Sequence, residues 1–449
     1  MDIPAHAATV LERLEHHGFE AYVVGGCVRD CLMGRTPKDW DVCTNALPEE
    51  VLRVFRKFHV IKTGLQHGTV TVMVNREPVE VTTFRIDGDY SDNRHPDRVS
   101  FVSHVEEDLS RRDFTINAMA YNPDRGLVDA FGGQEDLQAG VIRCVGEPDL
   151  RFQEDGLRIM RALRFASRFG FGLARETADA VRRNRYLLDN VSVERIFKEL
   201  KGILVGEGVA DMLTAFPEVM VTIMPELAPS IGFEQRTPYH CFDVWTHTLR
   251  AVAAAPKDEV LRLTLLLHDI AKPACQTRDE NGRDHFYGHP EQGAAMAKAI
   301  LQRLKSDNET LEAVVTLVRE HDNDLPTTRA GMRRLVGRLG ELNVRRLLAV
   351  QQADLAAHAA YALDRKGARL RQGCLLLEEV LDEEPAFTVK DLRFNGRDLM
   401  AMGLRPGPQM KVLLEALLAE VQEERLLNEH EALSARAQEL CARLQQSAD

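Results

Sequence analysis

The feature that most constrains this chain lies near its start, where a short apolar run leads into two glycines and then paired acids. The run Ala21–Val24 has the pattern of a buried strand and is followed directly by Gly25-Gly26. Twelve residues later comes Asp39-Trp40-Asp41-Val42. Acids at i and i+2 on a strand point to one face and can share Mg²⁺ ions, while glycines let backbone N–H groups approach phosphate oxygens. The pattern predicts phosphoryl transfer with Asp39 and Asp41 as catalytic metal ligands.

The rest of the first third of the chain predicts more strands, which give way to helical patterns after about Leu150. Residues 69–74 and 79–84 are β-branched runs joined by residues 75–78, which predicts a hairpin. Residues 87–98 are rich in Asp, Asn, Gly and Pro and are predicted to form a loop. We therefore expect a small head containing a sheet, followed by a long helical body.

Composition narrows the class of protein. The chain has 449 residues, of which 44% are hydrophobic and 28% charged, which is typical of a soluble protein with two to four domains. Its start lacks the pattern of a secretory signal, and no run approaches the roughly 18 apolar residues of a spanning helix. Eight cysteines without zinc-like pairing favour reduced thiols. We expect a cytoplasmic protein with no membrane contact and no stable protein partner.

The charge is unevenly distributed. The formal net charge is −12, which argues against broad nonspecific binding of nucleic acid. Residues 151–201 nevertheless carry twelve Arg plus Lys against seven Asp plus Glu, a local balance of +5. A local RNA site is therefore compatible with the acidic total.

A long ordered series of motifs resembles a known family. The stretch YVVGGCVRDCLMGRTPKDWDVCTNALPEEV resembles the signature of class II tRNA nucleotidyltransferases and bacterial poly(A) polymerases, in the DNA polymerase beta superfamily. Further motifs of that family continue in order, so that the resemblance covers nearly all of residues 20–202: TGLQHGTVTVMV, EVTTFR, DLSRRDFTINAMA, VDAFGG, EDGLRIMRALRFASRFGF and ERIFKEL.

The resemblance implies roles for individual residues of the head. Asp39 and Asp41 would hold the Mg²⁺ ions, and Glu80 is either a third catalytic carboxylate or an exposed strand acid. The segment containing Arg111, Arg112, Asp113 and Asn117 would contact the sugar and phosphates of the incoming nucleotide; a helix-start ion pair is the alternative. The signature adds three more nucleotide-binding candidates: Gly25, Gly26 and Arg29.

Selection of the base is predicted for Glu154, Asp155 and Arg158. A carboxylate accepts hydrogen bonds and a guanidinium donates them. Cytosine and adenine each present an NH₂ donor beside a ring-nitrogen acceptor, whereas uracil and guanine present the reverse. Asp155 and Arg158, at i and i+3 on one predicted helix, would therefore accept CTP and ATP, and the resemblance implies that they act as a protein template. Taken alone, the two residues fit an ordinary helical ion pair equally well.

The same predicted helix carries an arginine stripe, formed by Arg158, Arg161, Arg164 and Arg168. Such a stripe is either a solvated face or a surface that meets triphosphate or RNA backbone. We favour nucleotide and structural contacts for Arg158 and Arg161 and leave the other two open.

The signature does not separate CCA addition from two related activities. The loop at residues 87–98 favours competence for A addition over CC-only activity, and the acidic composition fits poly(A) polymerases poorly. The expected function is addition of CCA to the 3′ end of tRNA from CTP and ATP. The alternatives are an A-adding enzyme, a poly(A) polymerase, or a phosphohydrolase acting on RNA 3′ ends or nucleotides.

A second constellation follows in the middle of the chain. LTLLLHDIAKP and GHPEQGA resemble core elements of the HD superfamily of metal-dependent phosphohydrolases, which uses the order His…His-Asp…His…His…Asp. Histidines and carboxylates from several helices suit a divalent metal, whose identity the sequence leaves open. His240, Lys272 and His285 flank these residues and are compatible with surface positions. The implied ligands are His247, His268, Asp269, His289, His321 and Asp354.

The expected fold class is α+β, with a small mixed-sheet nucleotidyltransferase head followed by a mostly α-helical neck, HD body and tail. The expected boundaries are 1–146 for the head, 147–232 for the base-selecting neck, 233–383 for the HD domain and 384–449 for the tail. The tail resembles that of HD-bearing CCA enzymes, and either binds tRNA through its backbone or closes the HD domain.

Overall fold

The computed structural model describes residues 1–88, 99–383 and 386–446. It consists of two compact units: residues 1–228 with 303–306, and residues 229–302 with 307–449. The first unit contains a mixed sheet and the second is almost wholly helical, so the expected α+β class is confirmed. No helix among the described residues is long and apolar enough to cross a membrane.

The first unit begins with alternating helices and strands and ends with helices alone. Its elements are α1 (Ala5–His16), β1 (Ala21–Val24), α2 (Gly26–Leu32), β2 (Asp41–Thr44), α3 (Pro48–Val54), β3 (His59–Ile61), β4 (Thr69–Val74), β5 (Glu77–Thr83), β6 (Arg85–Asp87), β7 (Val99–Phe101), α4 (Val105–Ser110), β8 (Ala120–Asn122), β9 (Gly126–Val128), α5 (Gly133–Ala139), β10 (Val141–Ile142), α6 (Pro148–Glu154), α7 (Leu157–Phe169), β11 (Gly172–Leu173), α8 (Arg175–Asn184), α9 (Val193–Leu204), α10 (Val209–Ala215) and α11 (Pro217–Ile223).

Seven strands form the main sheet in the order β3-β4-β5-β2-β1-β8-β9. Only β2 and β5 pair in parallel, and their register places Asp41 opposite Glu80. The predicted hairpin is confirmed as β4 and β5, but its loop is shorter than expected. Asn75 and Arg76 both have positive φ and make a two-residue turn, so β5 begins at Glu77.

The two faces of this sheet bury different side chains, because successive strand residues point in opposite directions. Val23 and Val42 pack with α1 and α3 on one face. Tyr22 and Cys43 pack with residues of α4 on the other. Asp41 precedes Cys43 by two residues and therefore lies on the face away from α1 and α3.

Strands β6 and β7 pair with each other at the two ends of the predicted loop. Asp87 is the one charged residue of the predicted loop that the structure describes. The others lie outside the described residues: Asp89, Asp92, Arg94, Asp97 and Arg98. The expected link between this loop and A addition stays a prediction.

The second unit is a stack of helices with two short strands. Its elements are α12 (Val244–Ala254), α13 (Glu259–Leu267), α14 (Lys272–Cys275), β12 (Thr277–Arg278), β13 (Asp284–His285), α15 (His289–Arg303), α16 (Asn308–Glu320), α17 (Arg329–Leu339), α18 (Glu341–Ala356), α19 (Ala360–Asp382), α20 (Gly396–Ala401), α21 (Pro408–Gln422) and α22 (His430–Gln446). Two separate apolar clusters lie in residues 325–380 and 386–437. The four-part division expected from the sequence stays a prediction.

Candidate active site and metal centre

Three acids lie where the start of β2 pairs with the middle of the parallel strand β5. Asp41 opens β2 and faces Glu80 of β5, while Asp39 is exposed two residues before the strand. Burial, reinforced by the charge of Glu80, raises the pKa of Asp41 to about 6. The prediction that both aspartates stand on a strand was wrong in detail, because β2 begins at Asp41. The three acids nevertheless gather, and oxygen donors of this kind fit Mg²⁺.

A tight turn borders these acids. Gly25 has φ of +80°, and its N–H donates to the carbonyl of Met119. A side chain at Gly25 would place its Cβ 2.7 Å from Nη1 of Arg112, so glycine is required by both conformation and space. Arg112 is therefore held against the turn. The chain thus brings a guanidinium to the place where the sequence predicted phosphate contacts.

A buried hydrogen-bonded chain connects this turn to helix α7. Arg29 donates from Nε to Asp30 at 2.8 Å and from Nη1 to Oδ1 of Asn117 at 2.5 Å. Asn117 donates to Asp113 at 3.1 Å, and Asp113 accepts from Arg161 at 2.8 and 2.6 Å. Arg29, Asn117 and Asp113, the three predicted nucleotide contacts in this series of hydrogen bonds, are all buried and already paired within the protein. They hold the site together, and the nucleotide contacts predicted for them stay predictions.

The electrostatics of Asp113 show how firmly this chain is held. Burial alone would raise the pKa of Asp113, but the Arg161 charge and the hydrogen bonds from Asn117 and Arg161 outweigh it and lower the pKa to about 2. Asp113 is thus ionised across the physiological range and keeps α7 tied to the sheet.

Asp108 is a further buried carboxylate, and sequence reasoning missed it. It is 0% exposed and accepts from Nε and Nη2 of Arg111 at 3.0 and 2.9 Å. Its other oxygen accepts from Arg112 at 3.5 Å, and it also accepts from the N–H of Arg85. The signal was present in the sequence, since Asp108 precedes the arginine pair by three and four residues on one helical turn. Asp108 orients both arginines.

The base-selecting segment differs from its prediction. Helix α6 ends at Glu154 and α7 begins at Leu157, so Asp155 and Arg158 do not share a helix. At the break Asp155 has an extended backbone, and its side chain accepts from the N–H of Leu157 in the new helix. Glycine follows it because a side chain at Gly156 would place its Cβ 2.9 Å from the carbonyl oxygen of Leu187.

The partners in this segment also differ from a simple Asp155–Arg158 pair. Asp155 accepts from Arg195 at 2.8 Å, whereas Arg158 pairs with Glu154 and donates to the carbonyl of Arg151. The predicted stripe on α7 is confirmed as one helix. Of its remaining members, Arg161 pairs with Asp113 and Arg164 with Glu199.

The second unit brings together all six predicted metal ligands. His247, His268 and Asp354 form one group, and Asp269, His289 and His321 form another, each with ligand atoms within 4.8 Å. Oδ2 of Asp269 lies 3.2 Å from Nε2 of His268, and its Oδ1 lies 3.5 Å from Nε2 of His289. Asp269 therefore joins the two groups. Five helices or their ends supply the ligands: α12, α13, α15, α16 and α18.

Backbone carbonyls fix the direction of the histidines. Nδ1 of four predicted ligands lies at 2.6 to 3.2 Å from a main-chain oxygen: His247 on Ala357, His268 on Leu265, His289 on Phe286 and His321 on Val318. When Nδ1 carries the proton and donates to that main-chain oxygen, Nε2 has a free lone pair and points into the cluster. Nε2 of His268 and Oδ2 of Asp269 are buried without a well-aligned hydrogen-bond partner. The donor set fits a divalent transition metal.

Three further residues line this centre. Lys272 is buried and lies 2.6 Å from Oδ2 of Asp269, so its expected surface position was wrong. His240 is half-buried, 3.2 Å from Nζ of Lys272, and burial with that neighbouring charge lowers the pKa of His240 to about 2. His358 was missed; it follows Asp354 by four residues and bonds its carbonyl. The third flanking residue, His285, is hydrogen-bonded to Asp279 and lines the cavity beside the centre.

Comparison with known families covers three stretches of the chain. Residues 21–143 match the poly A polymerase head domain, and residues 237–366 match the HD domain. Residues 170–229 match the probable RNA and SrmB-binding site of polymerase A. The acids of the head and the six metal ligands fall within the first two.

Individual relatives narrow the family. A CCA-adding enzyme of Geobacillus thermodenitrificans is 48% identical over 223 residues, which is 49% of this chain and 55% of that protein. One of Lactobacillus delbrueckii subsp. bulgaricus is 42% identical over 273 residues, 61% of this chain and 66% of that protein. The crystal structure of the Bacillus stearothermophilus CCA-adding enzyme in complex with CTP matches over 100% of both chains, with 30% identity and a TM-score of 0.74.

The chain belongs to the CCA-adding enzyme family. The aligned part of the chain spans between about half and two thirds of the length of the two curated relatives, whereas the structural match is complete. Membership agrees with the resemblance that the motifs predicted. Within a CCA-adding fold, the Asp41–Glu80 pairing, the Gly25 turn and helix α7 occupy one continuous part of the first unit.

Proposed function

We propose that this protein adds C, C and A to the 3′ end of tRNA from CTP and ATP without a nucleic-acid template. The observation that carries the proposal is the pairing of Asp41, at the start of β2, with Glu80 of the parallel strand β5, beside the Gly25 turn that holds Arg112. The full-length similarity to an enzyme crystallised with CTP supports the same reaction. Its partners would be tRNA, CTP and ATP.

Mg²⁺ is the proposed cofactor of the first unit, held by Asp39 and Asp41 with Glu80 nearby. When bound, it would activate the attacking hydroxyl and neutralise the triphosphate. The protein's own contribution would be to orient the nucleotide: Arg111 and Arg112, which Asp108 holds in place, would contact the phosphates. Arginine forks suit phosphate because they present paired donors.

Base selection is proposed for the junction between α6 and α7. Asp155 and Arg158 lie on either side of Gly156, and each is braced by another residue, Arg195 and Glu154 respectively. A braced carboxylate and guanidinium offer an acceptor and a donor in fixed positions, which suits cytosine and adenine and opposes uracil and guanine. The alternative of a direct ion pair between them is disfavoured by these other partners.

The proposal also covers organisation and location. The chain would act in the cytoplasm, with the head at 1–146, the base-selecting neck at 147–232, the HD domain at 233–383 and a tRNA-binding tail at 384–449. The separate apolar cluster of residues 386–437 supports an independent tail.

Stepwise extension of a tRNA transcript that ends at the discriminator base tests the function. CTP alone should add two residues, CTP with ATP should add three, and UTP or GTP should add none. A single A added without CTP would indicate an A-adding enzyme, and long A tails would indicate a poly(A) polymerase. Either result would overturn the proposal.

A second candidate activity belongs to the HD centre. The preassembled histidines and a neighbouring cavity of about 250 Å³ favour metal-dependent hydrolysis of a phosphoester there. Release of inorganic phosphate from phosphomonoesters, or ring opening of cyclic nucleotides to nucleoside monophosphates, by the metal-loaded protein would support it. Turnover that persists unchanged in Asp269→Ala would reject this centre as its source.

A further inference from the structure

Two arginines that share the ring of Phe169 with Arg29 keep their charges without an acidic partner. Arg35 is exposed in the segment between α2 and β2, four residues before Asp39. Arg168 is half-buried one residue before the end of α7. Within the described ranges, neither guanidinium lies in an ion pair or hydrogen bond with an acid; their charged contacts are with an aromatic ring.

Neighbouring arginines of the same unit, by contrast, are paired with carboxylates. Three neighbouring arginines of the same unit each have a carboxylate: Arg29 with Asp30, Arg161 with Asp113 and Arg164 with Glu199. The fold therefore neutralises the arginines that lie deeper and leaves two near the surface positive.

One aromatic ring gathers these two charges. The Cζ atoms of Arg35 and Arg168 lie 5.0 and 5.3 Å from the centroid of Phe169, which stacks on Phe165 at 6.0 Å. The two guanidiniums are thus within about 10 Å of each other. A ring face orients a cation but does not cancel its charge. Like charges collected in this way repel, and an anion between them would relieve the repulsion.

We propose that Arg35 and Arg168 form a phosphate-binding pair that holds the backbone of the RNA primer next to the catalytic acids. This rests on the proposed function. Guanidiniums bind phosphate oxygens in a forked manner, and such contacts set the position of RNA without reading its sequence.

Position along α7 favours RNA over the incoming nucleotide as the source of that phosphate. Arg168 is ten residues from Arg158, which corresponds to about 15 Å along the helix. Arg161 and Arg164 lie between them and are paired. Arg29, a predicted nucleotide contact, also lies 5.0 Å from the centroid of Phe169, but its guanidinium is already bonded to Asp30 and Asn117. Arg35 and Arg168 are therefore left for a phosphate beyond those of the nucleotide.

The test measures binding of a tRNA transcript that ends at the discriminator base, in the full chain. Arg35→Gln with Arg168→Gln should weaken tRNA binding by roughly tenfold and lower the slope of log K against log salt by about two, since each lost phosphate contact removes about 0.9. The KM for CTP should not change. Arg168→Lys should keep most of the salt slope, because it keeps the charge.

Arg53→Gln is the matched control, since Arg53 is an exposed arginine on α3, which packs on the face of the sheet away from Asp41. It should bind tRNA as the wild type does. An unchanged tRNA affinity and salt slope in the double variant would overturn the proposal. A raised KM for CTP with unchanged tRNA affinity would overturn the RNA source and assign the pair to the nucleotide.

Binding is measured without catalysis, so failure of the two proposals can be told apart. If the wild type adds no CCA but the double variant still loses tRNA affinity, the phosphate-binding pair stands and the proposed function falls. Melting curves of each single variant identify any loss due to unfolding.

Discussion

The acids of the head and the histidine cluster of the HD domain are two candidate metal sites built in opposite ways. In the head, Asp39 and Glu80 are exposed, and Asp41 alone is largely enclosed. In the HD domain, His247, His268 and Asp269 are each 1% exposed. All groups of three donors within 4.8 Å found in the described part of the chain lie in the HD domain.

The difference in exposure between the two sites matches the ligands that they would bind. A site for nucleotide transfer has to admit a triphosphate together with its metal ions, so open carboxylates suit it. The HD centre is closed by backbone-locked imidazoles and a buried lysine, which suits a resident ion. The two should therefore respond very differently to loss of one carboxylate.

The largest expected effect is on resident metal. Asp269→Ala removes the carboxylate that joins the two groups of donors, and we expect complete loss of metal retained after dialysis, measured by elemental analysis. Asp284→Asn is a matched control, since Asp284 is a carboxylate of the same unit, 2% exposed and bonded to Arg278. Equal metal content in the two variants would contradict the assignment of Asp269 as a ligand of a resident metal ion.

In the head, Glu80 is the sharpest single test. Glu80→Gln should lower kcat for CMP addition by about a hundredfold, near 3 kcal/mol, because it removes a charge facing Asp41. Glu77→Gln changes another exposed acid of β5 and should leave kcat unchanged. If the two variants behave alike, Glu80 is only an exposed strand acid.

The anchoring of α7 predicts a pH-dependent stability. Asp113 has a pKa of about 2 in the fold against about 3.9 when unfolded, so its contribution is full above pH 4 and is lost as pH falls toward 2. Asp113→Asn should cost about 2 kcal/mol at pH 7 and much less near pH 2. Chemical unfolding at both pH values would check this. A difference that stays constant with pH would contradict the ionised Asp113–Arg161 pair.

The smallest effect is expected for orientation of the arginines. Asp108→Asn should raise the KM for CTP by roughly tenfold, about 1.4 kcal/mol, with a smaller change in kcat. Asp108→Glu keeps the charge and should recover part of the loss. A purely structural Asp108 would instead lower the melting temperature of both variants and leave KM unchanged.

Much of this account could be predicted because the signals are local. The strand before Gly25, the hairpin and the order of the HD ligands each depend on a few neighbouring residues or on a familiar series of motifs. The turn at Gly25 follows from a requirement that only glycine meets easily.

What could not be predicted depends on contacts between distant segments. The helix was expected to continue through Asp155, but Leu187 lies so close to Gly156 that a side chain there would collide with its carbonyl. Lys272 and His358 are different, because they follow Asp269 and Asp354 by three and four residues and this local spacing could have found them. By contrast, the pairing of Asp155 with Arg195, forty residues further along the chain, has no local signal. Spacing along the chain carries no record of such meetings.

The most direct test follows the 3′ end of a tRNA that lacks CCA, with CTP and ATP supplied to the wild type, Asp41→Ala and Asp269→Ala. We predict that the wild type and Asp269→Ala both add CCA in full, while Asp41→Ala is slower by at least about a thousandfold, near 4 kcal/mol. Sequencing of the products gives the identity and number of residues added. Full extension by Asp41→Ala, together with none by Asp269→Ala, would contradict the assignment of nucleotide transfer to the head.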